Sequence, residues 1–107
     1  MGTVRLTAAQ AVVRYLAVQR TLLDGKEAPL FAGCWAIFGH GNVAGMGEAL
    51  YHAREALPTY RAHNEQGMGL AAVAFAKAKN RRQVMACTTS IGPGAMNLLT
   101  AAGVAHV

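Results

Sequence analysis

In the stretch HNEQGMG, residues 63–69, one carboxylate, Glu65, stands among amide and glycine residues just ahead of the apolar run 70–76. The chain has only five acidic residues. A carboxyl group at the mouth of a buried helix suits proton transfer, because desolvation and a fixed position are what general acid–base work requires. It equally suits the first turn of a helix, where Asn64 can cap the backbone and a negative charge complements the dipole. Two further segments share its glycine-rich or polar character: GHGNVAGMG, residues 39–47, and SIGPGAMN, residues 90–97. In the first, Gly39, Gly41 and Gly45 form a loose GxGxxxG, open to a dinucleotide phosphate or to a tight turn. A dinucleotide fold also wants an acidic residue at the end of the next strand, and none occurs before Glu65. His40 reads first as a polar loop residue, with substrate contact the lesser alternative. Cys34 and Cys87 lie far apart in apolar segments with no CxxC or histidine-spaced pattern, so no metal ligand set is assigned in this chain and both read as reduced core thiols.

The elements that must position these residues can be read from period and punctuation. Thr7 and Gln10 make a capping box, and apolar positions from Ala8 to Leu23 keep a helical period up to Asp24-Gly25. CWAIF, residues 34–38, is a short continuous apolar run, as expected of a strand covered on both faces. A second helix is predicted over 43–53, a brief strand in TYRAH before the glutamate, and a third helix over 64–79. QVMACTT supplies another buried strand, and the segment 90–107 is a glycine loop leading into a fourth helix. Helices alternating with buried strands predict an α/β fold, a parallel sheet flanked by helices in three layers. In such sheets ligands meet the chain where strands end and helices begin, which is where all three polar segments fall.

At 107 residues the chain is expected to form one domain. Its charged fraction of 14% falls below the roughly 25% of ordinary soluble domains, which predicts that part of its surface is buried against another domain or subunit. The formal charge of +5 invites a nucleic-acid partner, yet the one basic cluster, KAKNRR at 77–82, sits where cations complement a helix C-terminus, and no nucleic-acid module accompanies it. No nucleic-acid partner is expected. No run approaches the roughly 18 apolar residues of a membrane span, and Arg5 and Arg14 interrupt any signal-peptide core, so a cytoplasmic location without a membrane partner is expected.

Taken together, FGHGNVAGMGEAL, NEQGMGLAAVAFAKAK and TTSIGPGAMNLLTAAGVAH resemble the N-terminal pyrimidine-binding domain of thiamine-diphosphate-dependent enzymes, the group that includes acetolactate synthase and pyruvate decarboxylase. The Glu-Gln-Gly before an alanine-rich helix and the later Gly-Pro-Gly-Ala with Asn97 carry the resemblance. It implies that Glu65 bonds the pyrimidine N1′ of thiamine diphosphate and so promotes loss of the proton on the thiazolium C2. It also implies that Gly41, Asn42, Gly92, Pro93 and Asn97 line the cofactor pocket, with Gly92 and Gly94 allowing close backbone approach. RLTAAQAVVRYLAVQ, DGKEAPLFAGCWAIFGHGNVAG and NEQGM narrow the likeness to a branch that opens a cyclic diketone by hydrolysing a carbon–carbon bond. His40 and Asn42 stand where many decarboxylases of the family carry Pro-Gly. An acetolactate-synthase-like carboligase or decarboxylase is the alternative, and a non-catalytic dinucleotide-binding or assembly module the alternative of another class. The family's Mg²⁺-holding Gly-Asp-Gly segment does not occur among these residues, so the likeness implies an N-terminal fragment, residues 1–107, of a longer homo-oligomeric enzyme whose metal is held elsewhere. Alone, it is expected to be catalytically silent.

Overall fold

A computed structural model of the chain describes residues 2–107. The capping box forms: the Thr7 hydroxyl accepts from the Gln10 amide at 3.1 Å, and the Gln10 side chain accepts from the Thr7 amide at 2.9 Å. The helix it starts, α1 (Ala8–Val18), ends earlier than the periodicity predicts. Beyond it the chain forms a hairpin of β1 (Arg20–Leu23) and β2 (Lys26–Pro29), closed by Asp24-Gly25. Both turn residues have positive φ, 52° and 81°, and a two-residue Asp-Gly turn of that hand matches the twist of paired strands. Leu22 and Leu23 fall in phase with the helix by coincidence. The turn chemistry decides the structure.

The sheet that organises the domain is parallel and three-stranded, in the order β4-β3-β5, with β3 (Phe31–Ala36), β4 (Thr59–Arg61) and β5 (Val84–Thr88). The central strand starts and ends earlier than the predicted 34–38. Successive side chains of a strand face opposite sides, and here Cys34 and Ala36 enter a core with Val13 of α1, Leu57, and Ala49 and Leu50 of α2 (Glu48–His52). Trp35 faces the other way and lines a groove with Met68 and Ala71 of α3 (Glu65–Ala78). Helices thus cover both faces, as the three-layer reading expects. The predicted second helix is present in two parts, a π-helical turn over Val43–Gly47 and then α2. The predicted fourth is split into α4 (Pro93–Met96) and α5 (Leu99–His106). Predicted as buried, β5 is only half-buried along its length, because it borders β3 on one side and has no strand partner on the other among the described residues.

The third helix matches its predicted bounds within a residue. Asn64 caps it, its side chain accepting from the Gly67 amide at 2.8 Å. At the other end the Asn80 amide donates to Lys77 and the Arg81 amide to Ala76, the pair of bonds that closes a helix through a left-handed residue; Asn80 has φ of 56°. In its second turn the helix crosses α5 closely enough that a Cβ on Gly69 would lie 2.6 Å from the Ala101 Cβ. The basic run is therefore a helix end and an exposed turn, in which Arg82 meets Asp24 at 3.0 Å with both side chains open to solvent. Exposed pairs of this kind contribute about 0.2–1 kcal/mol. Changing Arg81 and Arg82 to Gln should therefore leave the unfolding midpoint nearly unchanged in a denaturant titration. A large loss, or tight salt-sensitive DNA binding that vanishes in the double variant, would contradict this assignment.

Cys34 is fully buried. Burial, with the neighbouring Cys87 adding to it, pushes its thiol from an ordinary value of 9.0 up to about 11. A raised value favours the protonated folded form, so this contribution to stability is complete below the unfolded thiol's pKa and is lost as pH rises through about 11. Iodoacetamide at pH 8 should spare Cys34 in the folded protein and label it after denaturation. Rapid labelling without denaturation would show the core to be open.

Candidate functional site

The three polar segments converge at the C-terminal ends of the parallel strands. Glu65, the first residue of α3, is 8% exposed, and it is the one buried charged side chain among the described residues. Asn64 fixes where the helix begins, and Met68, fully buried one turn on, pins that end to the sheet. From the end of β5, the Ser90 hydroxyl donates to Glu65 Oε2 at 3.4 Å. That is the carboxylate's only hydrogen bond among the described residues, and it is longer than the 2.5–3.0 Å of a strong O–H···O contact.

The other two loops are shaped around this contact. A Cβ built on Gly94 would fall onto the Ser90 hydroxyl and lie 2.6 Å from Glu65 Oε2. A Cβ on Gly39 would lie 2.7 Å from the Ser90 Cβ. Asn42 ties the first loop to the third, its side-chain amide donating to the Thr89 carbonyl at 2.7 Å. Gly41, φ 87°, and Gly92, φ 58°, hold left-handed turns that a side chain would strain.

Of the predicted site residues, Glu65 and Asn42 are thus bound into the cluster, while Gly41 is an exposed turn. Gly92, Pro93 and Asn97 frame the short helix α4, and all three are exposed. Pro93 takes the first helical position, where its missing N–H costs nothing. Asn97 closes the helix with its backbone amide, which bonds Pro93 and Gly94. His40 is exposed beside the first loop. Sequence reasoning passes over Ser90. Its only local signal is that it lies between a strand and a Gly-Pro-Gly loop, while the bond that gives it meaning spans 25 residues.

The carboxylate thus has Oε2 on Ser90 and Oε1 without a protein partner but still open to the site, since the one enclosed side-chain polar atom without a partner among the described residues is Thr59 Oγ1. The arrangement fits a ligand that brings a ring nitrogen to Glu65 Oε1, with Ser90 and the closely packed backbone of Gly94 occupying the side of Oε2.

The family model for the thiamine pyrophosphate enzyme, N-terminal TPP binding domain, matches residues 34–107, the part of the chain that contains all three loops. The chain belongs to this thiamine-pyrophosphate (thiamine-diphosphate) enzyme family. It is 53% identical over 103 residues to the 3D-(3,5/4)-trihydroxycyclohexane-1,2-dione hydrolase of Listeria monocytogenes serotype 4b (strain F2365), covering 96% of this chain. To the protein of the same name from Bacillus thuringiensis (strain Al Hakam) it is 51% identical over 105 residues, covering 98% of this chain. The chain spans 16% of the length of each of these curated relatives. No solved structure matches it significantly. The expected fold and family are those found, and the relatives that the chain matches bear the name of the expected branch.

Proposed function

We propose that these 107 residues are the pyrimidine-binding domain of a longer thiamine-diphosphate-dependent hydrolase that opens trihydroxycyclohexane-1,2-dione by cleaving a carbon–carbon bond, a step of inositol catabolism. The observation that carries the reading is Glu65, buried where three loops meet, with Oε2 held by Ser90 and Oε1 free of protein partners among the described residues. The names of the relatives supply the substrate class. Thiamine diphosphate, when bound, provides the carbon nucleophile for such a cleavage. This chain's part is to accept a hydrogen bond from the pyrimidine nitrogen at the Glu65 carboxylate and hold a proton there. Asn42, Gly41, Gly92, Pro93 and Asn97 enclose the ring from the first and third loops, and apolar helix α3 keeps water from the carboxylate.

Mg²⁺ and the diphosphate are assigned to a part of the enzyme outside these residues. That part closes the site from the side where Ile91, Met96 and Leu99 stand 77%, 62% and 59% exposed. Large apolar side chains grouped beside a polar site mark an interface, and a homo-oligomer of at least two subunits, each completing the other's site, is the assembly proposed. A cytoplasmic location is part of the same proposal; no helix among the described residues is long and apolar enough to cross a membrane.

The test is to supply the intact enzyme with trihydroxycyclohexane-1,2-dione and, separately, with pyruvate. Ring opening of the diketone without turnover of pyruvate is expected. Turnover of pyruvate alone would assign the chain to the carboligases and decarboxylases instead.

A further inference from the structure

The geometry points to Ser90 as a positioning residue for Glu65, an inference that rests on the catalytic reading of that glutamate. Five constraints hold Ser90 where it is. The strand β5 delivers it, and the Asn42 amide fixes the carbonyl of the residue before it. Its own carbonyl accepts from the Thr89 hydroxyl at 2.8 Å. Gly39 closes over its Cβ, and Gly94 passes its hydroxyl too closely for any side chain. Gly39 makes room for any Cβ at position 90, whereas Gly94 makes room for the hydroxyl itself. The room protects one contact, from the hydroxyl to Glu65 Oε2.

A carboxylate has two equivalent oxygens and turns about its terminal torsion with little preference. A donor fixed on Oε2 removes that freedom, so Oε1 is left to meet the pyrimidine nitrogen in one orientation. The hydroxyl suits this task because it can donate to an ionised carboxylate and also accept from a protonated one. The 3.4 Å length leaves slack that ligand binding can take up, since catalytic hydrogen bonds often tighten only in the loaded complex. Ser90 touches no reacting atom in this scheme. It acts through Glu65.

The test compares Ser90→Ala, Glu65→Gln and the double variant of the intact enzyme, with deuterium exchange at the cofactor C2 as the rate. Ser90→Ala should slow exchange about tenfold, the loss of one weak hydrogen bond to a charged group, while its melting temperature stays close to that of the parent. In the Glu65→Gln background the same change should have no further effect, because the group it orients is gone. In the cofactor-free protein, the carboxyl ¹³C resonance identified by its absence in Glu65→Gln should shift in Ser90→Ala. Ser90→Cys, which keeps the shape with a weak donor, should fall between parent and Ser90→Ala, and it carries the test if the alanine variant does not fold. Equal slowing by Ser90→Ala in both backgrounds, or an unmoved carboxyl resonance, overturns the proposal. If Glu65→Gln itself leaves exchange unchanged, the catalytic reading of Glu65 has failed, a result distinct from Ser90→Ala alone having no effect.

Discussion

Glu65→Gln in the intact enzyme should slow proton exchange at the cofactor C2 by roughly 10²–10⁴-fold, the usual contribution of a positioned acid or base. The fold should survive. An amide is nearly isosteric with the carboxyl, Asn64 still caps the helix, and losing a first-turn charge costs only about 0.3–1 kcal/mol. Here the two readings of the glutamate, catalytic group and dipole partner, part company. A dipole partner would register in the melting temperature and leave exchange alone; a catalytic carboxyl would do the reverse. Deuterium exchange measured by NMR, beside thermal melting of the same samples, gives both numbers, and an exchange rate equal to the parent's would remove Glu65 from the chemistry.

Gly94→Ala should have the second largest effect, with a sign that identifies its cause. In an unencumbered helix, glycine to alanine stabilises by about 1 kcal/mol. The backbone at Gly94 is not left-handed, so alanine meets no conformational penalty there. The added methyl nevertheless falls onto the Ser90 hydroxyl and 2.6 Å from Glu65 Oε2. The variant should lose about 1–3 kcal/mol to overpacking, and displacement of the carboxylate should cost on the order of 10²-fold in C2 exchange. Deuterium exchange at the cofactor C2 and denaturant unfolding check the two halves. A variant more stable than the parent, with normal exchange, would mean that the loop is looser than the structure places it.

Features specified within a few residues are legible in the sequence. Asn64 as cap, Glu65 in the first turn and the apolar stretch behind them lie in one continuous segment, and α3 is legible almost to the residue. The Gly-Pro-Gly loop is legible for the same reason, and family likeness then ties it to Glu65. The hairpin at 20–29 escapes the periodicity although its Asp-Gly signal is present, because two leucines continue the helical phase and outweigh the turn chemistry. The apolar side chains of β5, taken alone, predict a buried strand. Burial of a strand depends on what pairs beyond it, which its own residues do not encode. Ser90, and the two side chains that Gly94 must clear, emerge only when β5 and α3 are brought side by side.

The outer border of β5 has a consequence for handling the isolated polypeptide. A parallel strand with one free rim presents a row of amides and carbonyls ready to template a foreign strand, and natural proteins blunt such rims with charge, proline or cover. The five residues VMACT carry no charge and no proline, so within the strand neither device blunts the rim. Strand-to-strand accretion at micromolar concentration, visible as light scattering and thioflavin fluorescence, is the expected behaviour. A lysine placed at Met85 should suppress it.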